Sequence, residues 1–239
     1  MMDDFDDIML ARTPTAARPL LGLTVLVVED SRFASEAMRL LCLRSGARIR
    51  RADCLTSARK HLRVYRPSVV VVDLGLPDGS GTDLIAELHN ASPRIDVLLG
   101  ISGEPAREGE AMAAGADGFL PKPIETLGVF QQAILSLLPE TAQPPAPRQI
   151  PDEAIHPDPF TFREDIARAA DVLQDRPDGN ALDYVAQFTS GIARSAHDTQ
   201  LEAAAIALAK DRAKGRSIRG DVQRLSGIFQ ERLAGGGVV

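Results

Sequence analysis

Runs of hydrophobic residues alternate with amphipathic segments along the first half of the chain. Residues 23–30, which end in two acids, and residues 69–72 have the continuous apolar character of strands buried on both faces of a parallel sheet. The pattern predicts strands at 23–30, 47–52, 69–72, 96–101 and 117–120 and helices at 32–44, 55–64, 81–90, 105–114 and 124–138. Because strands and helices alternate, we expect an α/β fold with a five-stranded, doubly wound parallel sheet.

Prolines separate the second half of the chain from the first. Seven prolines lie in 139–159, too many for a helix or a central strand, and predict a semi-rigid linker over 139–160. Beyond it, helical spacing predicts an all-α domain of four amphipathic helices at 161–239, with capping boxes at Thr161 and Thr199. Because short helices cannot bury their apolar stripes singly, we expect them to pack together, on the first domain or across a dimer.

Composition limits the possible functions. Residues 1–21 carry four early aspartates and few apolar residues, which predicts a flexible leader before a first domain at 22–138. The net charge of −6 argues against a generally nucleic-acid-binding surface. No apolar run approaches the roughly 18–20 residues that span a bilayer, so no membrane association is expected. Cys42 and Cys54 lack metal-binding spacing and are predicted to be reduced and buried, as in a cytoplasmic protein.

Carboxylates follow two strands of the predicted sheet. Glu29 and Asp30 come after the first strand, and Asp73 follows the four valines of the third. Carboxylates that are forced together repel each other unless a cation neutralises them. With no His or Cys at ligand spacing, an all-oxygen cluster favours a hard ion, and an open, partly hydrated site suits Mg²⁺ better than Ca²⁺. The sequence therefore predicts a magnesium site at this edge of the sheet.

Two further polar residues follow the fourth and fifth strands. Ser102 supplies a hydroxyl, and Lys122 lies between two prolines that stiffen its backbone. Alone, Ser102 could cap a helix and Lys122 could be a surface charge. Together with the acids, they describe phosphoryl transfer to a carboxylate, in which Asp73 is the nucleophile and Lys122 and Mg²⁺ balance the phosphoryl oxygens. Ser102 would donate a hydrogen bond to one of those oxygens.

Longer motifs surround these positions. They are Val-Val-Glu29-Asp30-Ser, Asp73-Leu-Gly-Leu-Pro77-Asp-Gly-Ser-Gly81, the residue Ser102, and Gly115-Ala-Asp-Gly-Phe119-Leu-Pro-Lys122-Pro. With these motifs, residues 22–138, about half of the chain, resemble the receiver domain of the two-component response-regulator family. The resemblance implies a flavodoxin-like sheet of order 2-1-3-4-5. It also implies a phosphoacceptor of bacterial signal transduction rather than a classified enzyme.

The resemblance assigns roles to individual residues. Asp73 is implied to be phosphorylated by a sensor histidine kinase or a phosphotransfer protein, with Mg²⁺-dependent self-phosphorylation and dephosphorylation chemistry. Asp30, Asp73 and the Gly75 carbonyl are implied to bind Mg²⁺ directly, and Glu29 is implied to act largely through water.

A phosphoryl group at Asp73 is further implied to act as a switch. Ser102 occupies the family's Thr/Ser switch position and would move to meet the phosphoryl group, while Phe119, at the aromatic switch position, would turn into the vacated space. This movement would alter the face formed by the last strand and the helices at 105 and 124. Because that face pairs receivers in the family, the resemblance implies a homodimer.

Residues 161–239 resemble no output domain, so several outputs stay open. Their 11 Lys and Arg residues balance 11 Asp and Glu residues, and the favoured hypothesis is a domain that dimerises or binds a partner protein under the control of phosphorylation. The alternative is a DNA-binding transcriptional regulator that uses the basic cluster at 210–219, although a solvated loop explains this cluster more simply. A third hypothesis is a phosphorelay transferase that uses His197, which otherwise is a surface histidine preceding the Thr199 cap.

Overall fold

A computed structural model describes residues 13–145, 149–175 and 178–235 of the chain. The sheet has five strands, β1 (Thr24–Val28), β2 (Arg48–Ala52), β3 (Val69–Asp73), β4 (Val97–Ser102) and β5 (Gly118–Pro121). Their spatial order is β2-β1-β3-β4-β5, and every neighbouring pair is parallel. The predicted doubly wound sheet and its strand order are therefore confirmed.

Helices cover both faces of this sheet. They are α1 (Arg32–Ser45), α2 (Leu55–Val64), α3 (Gly81–His89), α4 (Glu108–Ala113) and α5 (Leu127–Leu135), and we call the sheet with these helices the α/β unit. Val69 and Val71 face one core cluster, whereas Val70 and Val72 face another on the opposite side of the sheet. A strand buried on both faces needs an unbroken apolar run, and the valines of β3 supply it.

Helices after the linker form a second unit. They are α6 (Pro159–Gln174), α7 (Gly179–Ser195), α8 (Thr199–Ala213) and α9 (Arg219–Ala234), and we call them the helical unit. Their apolar stripes meet in one core cluster that includes Ile166, Val185, Leu201, Leu208 and Leu225, so the prediction that these helices pack together is confirmed. The same cluster contains Phe33 of α1, whose ring lies edge-on against Phe162 with centroids 5.6 Å apart. The helical unit therefore also packs on the α/β unit.

The starts of α6 and α8 correct the predicted capping boxes. Asp158, rather than Thr161, caps α6 by accepting a backbone hydrogen bond of 2.9 Å, and Asp198, rather than Thr199, caps α8 with one of 3.0 Å. Aspartate competes well with threonine because its charge also favours the positive start of a helix. Asp198 has a second partner, since Arg232 Nε of α9 donates to it at 2.6 Å. This ion pair links the start of α8 to α9.

The linker runs beside the start of α5. Ala154 forms an antiparallel bridge with Thr126. The carbonyl oxygens of Pro151 and Glu153 accept hydrogen bonds of 3.0 and 2.9 Å from the first N–H groups of α5. These bonds hold 151–154 against the α/β unit, only a few residues before α6 begins.

Several other predictions concern single residues and the start of the chain. Residues 1–12 of the predicted leader lie outside the described residues, while Leu20, near the end of that leader, is fully buried in the core. Both cysteines are free, and Cys42 is buried. Cys54 is only half-buried because its sulfur caps α2 by accepting a hydrogen bond from Ser57 N. Within the described ranges, the helices are too short or too polar to cross a membrane.

Candidate functional site

Three carboxylates meet at the carboxyl edge of the sheet. Glu29 and Asp30 directly follow β1, and Asp73 is the last residue of the neighbouring strand β3. Only 3%, 4% and 7% of these residues, respectively, is exposed. Among the described residues, each of the three offers a carboxylate oxygen within 4.8 Å of the other two. Buried carboxylates at this separation repel each other, so the cluster requires positive charge.

Lys122 supplies one positive charge to this cluster. Its Nζ donates hydrogen bonds of 2.7 Å to Glu29 Oε2 and to Asp73 Oδ2. The lysine follows β5, and its backbone N–H donates to the Ser102 carbonyl at 2.8 Å, which anchors it beside the end of β4. Burial alone would lower the pKa of Lys122, but the Asp73 and Glu29 carboxylates raise it above its usual range. The two carboxylates therefore favour the charged form of the amine, which lies between Glu29 and Asp73.

One lysine does not neutralise three buried carboxylates. Burial raises the pKa of Glu29 to about 8, and Lys122 offsets this effect only in part because Asp73 and Asp30 add to it. Burial likewise raises the pKa of Asp30 to about 6, against the lowering effect of a hydrogen bond from Tyr184. A buried, all-oxygen donor set with unbalanced negative charge fits a hard cation, so this triad could bind a metal ion.

Other residues predicted for the site lie around the triad. Gly75 N donates to Asp73 Oδ1 at 3.1 Å, and Ser102 is buried at the end of β4, where its Oγ accepts a hydrogen bond of 3.1 Å from Glu104 N. Together, Glu29, Asp30, Asp73, Gly75, Ser102 and Lys122 line one cavity of about 40 Å³, which we call the acidic pocket. Phe119 does not line it; this half-buried residue of β5 packs beneath, opposite Gly100 of β4.

The helical unit closes the acidic pocket, a feature that the sequence did not reveal. The wall opposite the sheet is formed by residues of α7, among them Gln187, Ser190, Gly191 and Arg194. A cavity of this size has room for only a few water molecules. An amphipathic pattern identifies the buried stripe of a helix but not the surface that its remaining residues touch, so no signal in the sequence pointed to these residues.

Two helical-unit residues contact Asp30 directly. The Tyr184 hydroxyl of α7 donates to Asp30 Oδ2 at 2.5 Å, and Arg168 Nη1 of α6 donates to the Asp30 carbonyl at 3.0 Å. The Tyr184 ring stacks on Phe188, with centroids 5.6 Å apart, and the Arg168 guanidinium lies over the same Phe188 ring at 5.7 Å. These contacts hold both polar groups in place at the edge of the pocket.

A third helical-unit residue, Asp165 of α6, binds the start of α1. Its carboxylate accepts hydrogen bonds from Ser31 Oγ at 2.8 Å, Arg32 N at 2.9 Å and Phe33 N at 3.0 Å. Asp165 is fully buried, and burial raises its pKa despite these hydrogen bonds. Since Ser31 follows Asp30, polar contacts from the helical unit hold consecutive residues at this end of the triad.

His197 lies in the turn between α7 and α8 and has a positive φ of 57°. It does not line the acidic pocket but lines a neighbouring cavity of about 1000 Å³ between α1, the linker and the helical unit. Glu29 and Lys122 reach the same cavity from the opposite side. In the basic cluster at 210–219, Arg212 is paired with Asp183 and Arg216 with Asp211.

Comparisons with known proteins concern the α/β unit. Residues 25–134 match the family model of the response regulator receiver domain. The KDP operon transcriptional regulatory protein KdpE of Escherichia coli (strain K12) is 32% identical over 99 residues, which cover 41% of this chain and 44% of that protein. The virulence transcriptional regulatory protein PhoP of Salmonella typhimurium is 32% identical over 120 residues, covering 47% and 52%.

Solved structures match a similar share of the chain. The chemotaxis response regulator CheY4 of Vibrio cholerae is 21% identical and superposes with a TM-score of 0.44, covering 48% of this chain and 98% of that one. The chain spans about half the length of the two curated relatives that it matches. The match to the family model lies within the α/β unit, and each of these relatives matches less than half of this chain.

Proposed function

Because residues 25–134 are a response regulator receiver domain of a two-component signalling system, we propose that Asp73 accepts the phosphoryl group. The placement of the Lys122 amine carries this proposal: it lies 2.7 Å from Asp73 Oδ2 in a cluster of buried carboxylates. After transfer, the same amine can neutralise a phosphoryl oxygen on Asp73. A partner histidine kinase is implied by the family, and either that kinase or a phosphotransfer protein is the proposed donor.

Mg²⁺ is the proposed metal ion. Asp30, Asp73 and the Gly75 carbonyl would hold it directly, and Glu29 would act through water. When bound, the ion supplies neutralisation of the phosphoryl oxygens and orientation of the donor. The unbalanced charge of the buried triad and its oxygen-only donors support this assignment.

In the proposed reaction, one carboxylate oxygen of Asp73 attacks the phosphorus of a phosphohistidine. The P–N bond breaks as the P–O bond forms, and its electron pair stays on the donor imidazole, so the products are an aspartyl phosphate and a free histidine. Among the described residues, Ser102 Oγ accepts a hydrogen bond from Glu104 N, which leaves its proton to be donated to a phosphoryl oxygen. Phe119, next to Gly100 on the sheet, is proposed to follow the movement of Ser102.

The helical unit is the proposed output. Because it packs on α1 and lines the acidic pocket, charge added at Asp73 must alter its docking. We propose that phosphorylation thereby controls homodimerisation or the binding of a partner protein. The alternative, DNA binding, is less well supported because two arginines of the 210–219 cluster are already paired with carboxylates.

Phosphorylation of the full chain by acetyl phosphate with Mg²⁺ tests the assignment of Asp73. We expect intact-mass spectrometry to show one added phosphoryl group in the wild type and in Asp83→Asn, which changes an exposed aspartate of α3. Asp73→Asn should take up none. Normal uptake by Asp73→Asn would refute the proposal.

The alternative outputs have their own signatures. Steeply salt-dependent binding to random duplex DNA, reduced when Lys210 and Lys214 are replaced, would favour a transcriptional regulator. His197 remains a candidate phosphorelay residue because its cavity also reaches Lys122. An acid-labile phosphohistidine that appears after Asp73 is phosphorylated, and that is lost in His197→Gln, would favour phosphorelay transfer.

A further inference from the structure

Asp30, a proposed metal ligand, is already engaged by the helical unit through its carboxylate. Its Oδ2 accepts the Tyr184 hydroxyl at 2.5 Å, and Asp30 itself is 4% exposed. Tyr184 is held there by its stacking on Phe188 and reaches Asp30 from a different structural unit. The Tyr184 hydroxyl occupies one oxygen of this carboxylate and partly neutralises its charge, so a cation that enters the triad competes with this hydrogen bond for Asp30.

We propose that Tyr184 competes with the divalent cation for Asp30, so that docking of the helical unit and metal loading of the acidic pocket oppose each other. This inference rests on the proposed function, because it assumes that the triad takes up a metal ion. Tyr184 is a positioning residue in this scheme: it holds Asp30 in the docked, metal-free arrangement and contributes nothing to the transfer step.

The size of the acidic pocket supports the same antagonism. Its cavity of about 40 Å³ is bounded on one side by the sheet edge and on the other by α7. A hydrated cation together with a phosphoryl group and its oxygens is larger than the few water molecules for which this cavity has room. Occupancy by both groups would therefore move α7 away from the strand ends, and this movement would also withdraw Tyr184.

Thermodynamic linkage makes the antagonism reciprocal. If docking weakens metal binding by some factor, metal binding weakens docking by the same factor. Removing the Tyr184 hydroxyl abolishes one hydrogen bond to a charged acceptor, so Tyr184→Phe should bind Mg²⁺ about tenfold more tightly than the wild type. Asp165→Asn, which weakens docking at the start of α1 without touching Asp30, should shift the affinity in the same direction.

The tyrosine content of the chain permits a direct observation. The protein has two tyrosines, Tyr65 and Tyr184, so 3-fluorotyrosine labelling of the full chain gives two ¹⁹F resonances, which Tyr65→Phe assigns. We expect added Mg²⁺ to move the Tyr184 resonance towards that of a solvent-exposed tyrosine and to leave the Tyr65 resonance in place. Titration calorimetry with Mg²⁺ gives the affinities of the wild type, Tyr184→Phe and Asp165→Asn, with Tyr65→Phe as the unchanged control.

The possible results separate this inference from the function on which it rests. The competition would be overturned if Tyr184→Phe bound Mg²⁺ with wild-type affinity. It would also be overturned if the Tyr184 resonance did not move at a Mg²⁺ concentration that saturates the calorimetric signal. Either result would leave Asp73 as the phosphoacceptor. Failure of the wild type to bind Mg²⁺ and to be labelled by acetyl phosphate would overturn both. A tighter Kd in both Tyr184→Phe and Asp165→Asn, with a shifted Tyr184 resonance, supports the competition.

Discussion

Replacing Asp165 with alanine should destabilise the protein by about 3 kcal/mol. The substitution removes a fully buried carboxylate that accepts three hydrogen bonds from the start of α1. Hydrogen bonds to a charged acceptor contribute roughly 1.5–3 kcal/mol each, and the backbone N–H groups of Arg32 and Phe33 would lose their partner. Part of this loss of stability is offset because the substitution also removes a buried charge, whose cost the raised pKa of Asp165 indicates. Ser31 loses less, since its Oγ also accepts a hydrogen bond from Ala34 N.

Urea unfolding followed by far-ultraviolet circular dichroism measures this effect. With a slope of about 3 kcal/mol per molar urea, the midpoint of Asp165→Ala should fall by about 1 M. Asp171→Ala is the matched control, because it changes an exposed aspartate of the same helix and should cost less than about 0.5 kcal/mol. Equal midpoints for Asp165→Ala and Asp171→Ala would show that the helical unit does not depend on this contact, and the account of its docking would be wrong.

Three further outcomes are expected. Burial raises the pKa of Glu29 from 4.5 to about 8, so the folded protein keeps a proton that the unfolded chain releases. The free energy of unfolding should therefore fall between about pH 5 and pH 8. Glu29→Gln should flatten that pH dependence, as urea titrations at several pH values would show. A side chain at Gly128 would place its Cβ 2.4 Å from a side-chain carbon of the linker and 2.6 Å from a linker carbonyl oxygen. Gly128→Val should therefore displace the linker from α5 and speed proteolysis within it. Gly109→Ala, with open space around the glycine, should leave the rate of proteolysis unchanged. Burial raises the pKa of the Cys42 thiol to about 12. Iodoacetamide at pH 8 should therefore modify native Cys42 far more slowly than half-buried Cys54, as peptide mass spectrometry would show. Equal rates would contradict the buried placement of Cys42.

The sequence was most informative where one short segment determines both structure and position. The valines of β3 had to form a strand buried on both faces, and that strand delivers Asp73 to the carboxyl edge of the sheet. The same reasoning placed Glu29, Asp30 and Lys122 at the carboxyl ends of strands of this sheet, where the structure brings them together. Parallel topology makes these placements predictable, because all strands end at one edge.

Contacts between the two units could not be predicted in this way. Tyr184 and Asp165 lie on helices whose apolar pattern was recognised, but the pattern is satisfied equally by packing within the unit, on another unit or on another chain. Competition between neighbouring residues for the capping position explains why the two predicted capping boxes were wrong. Thr161 and Thr199 are acceptable caps, yet Asp158 and Asp198 are available nearby and bring charge to the helix start.

The attachment of 151–154 to the start of α5 leaves only a short stretch of chain before α6 begins. A tether of this kind keeps the helical unit at an effective concentration of about millimolar or more beside the α/β unit. Even a docking interface with weak intrinsic affinity then stays mostly closed. In the proposed switch, the free energy needed to release the helical unit is thus set partly by a segment that carries no reactive group. Lengthening that segment would make release easier without altering any residue of the acidic pocket.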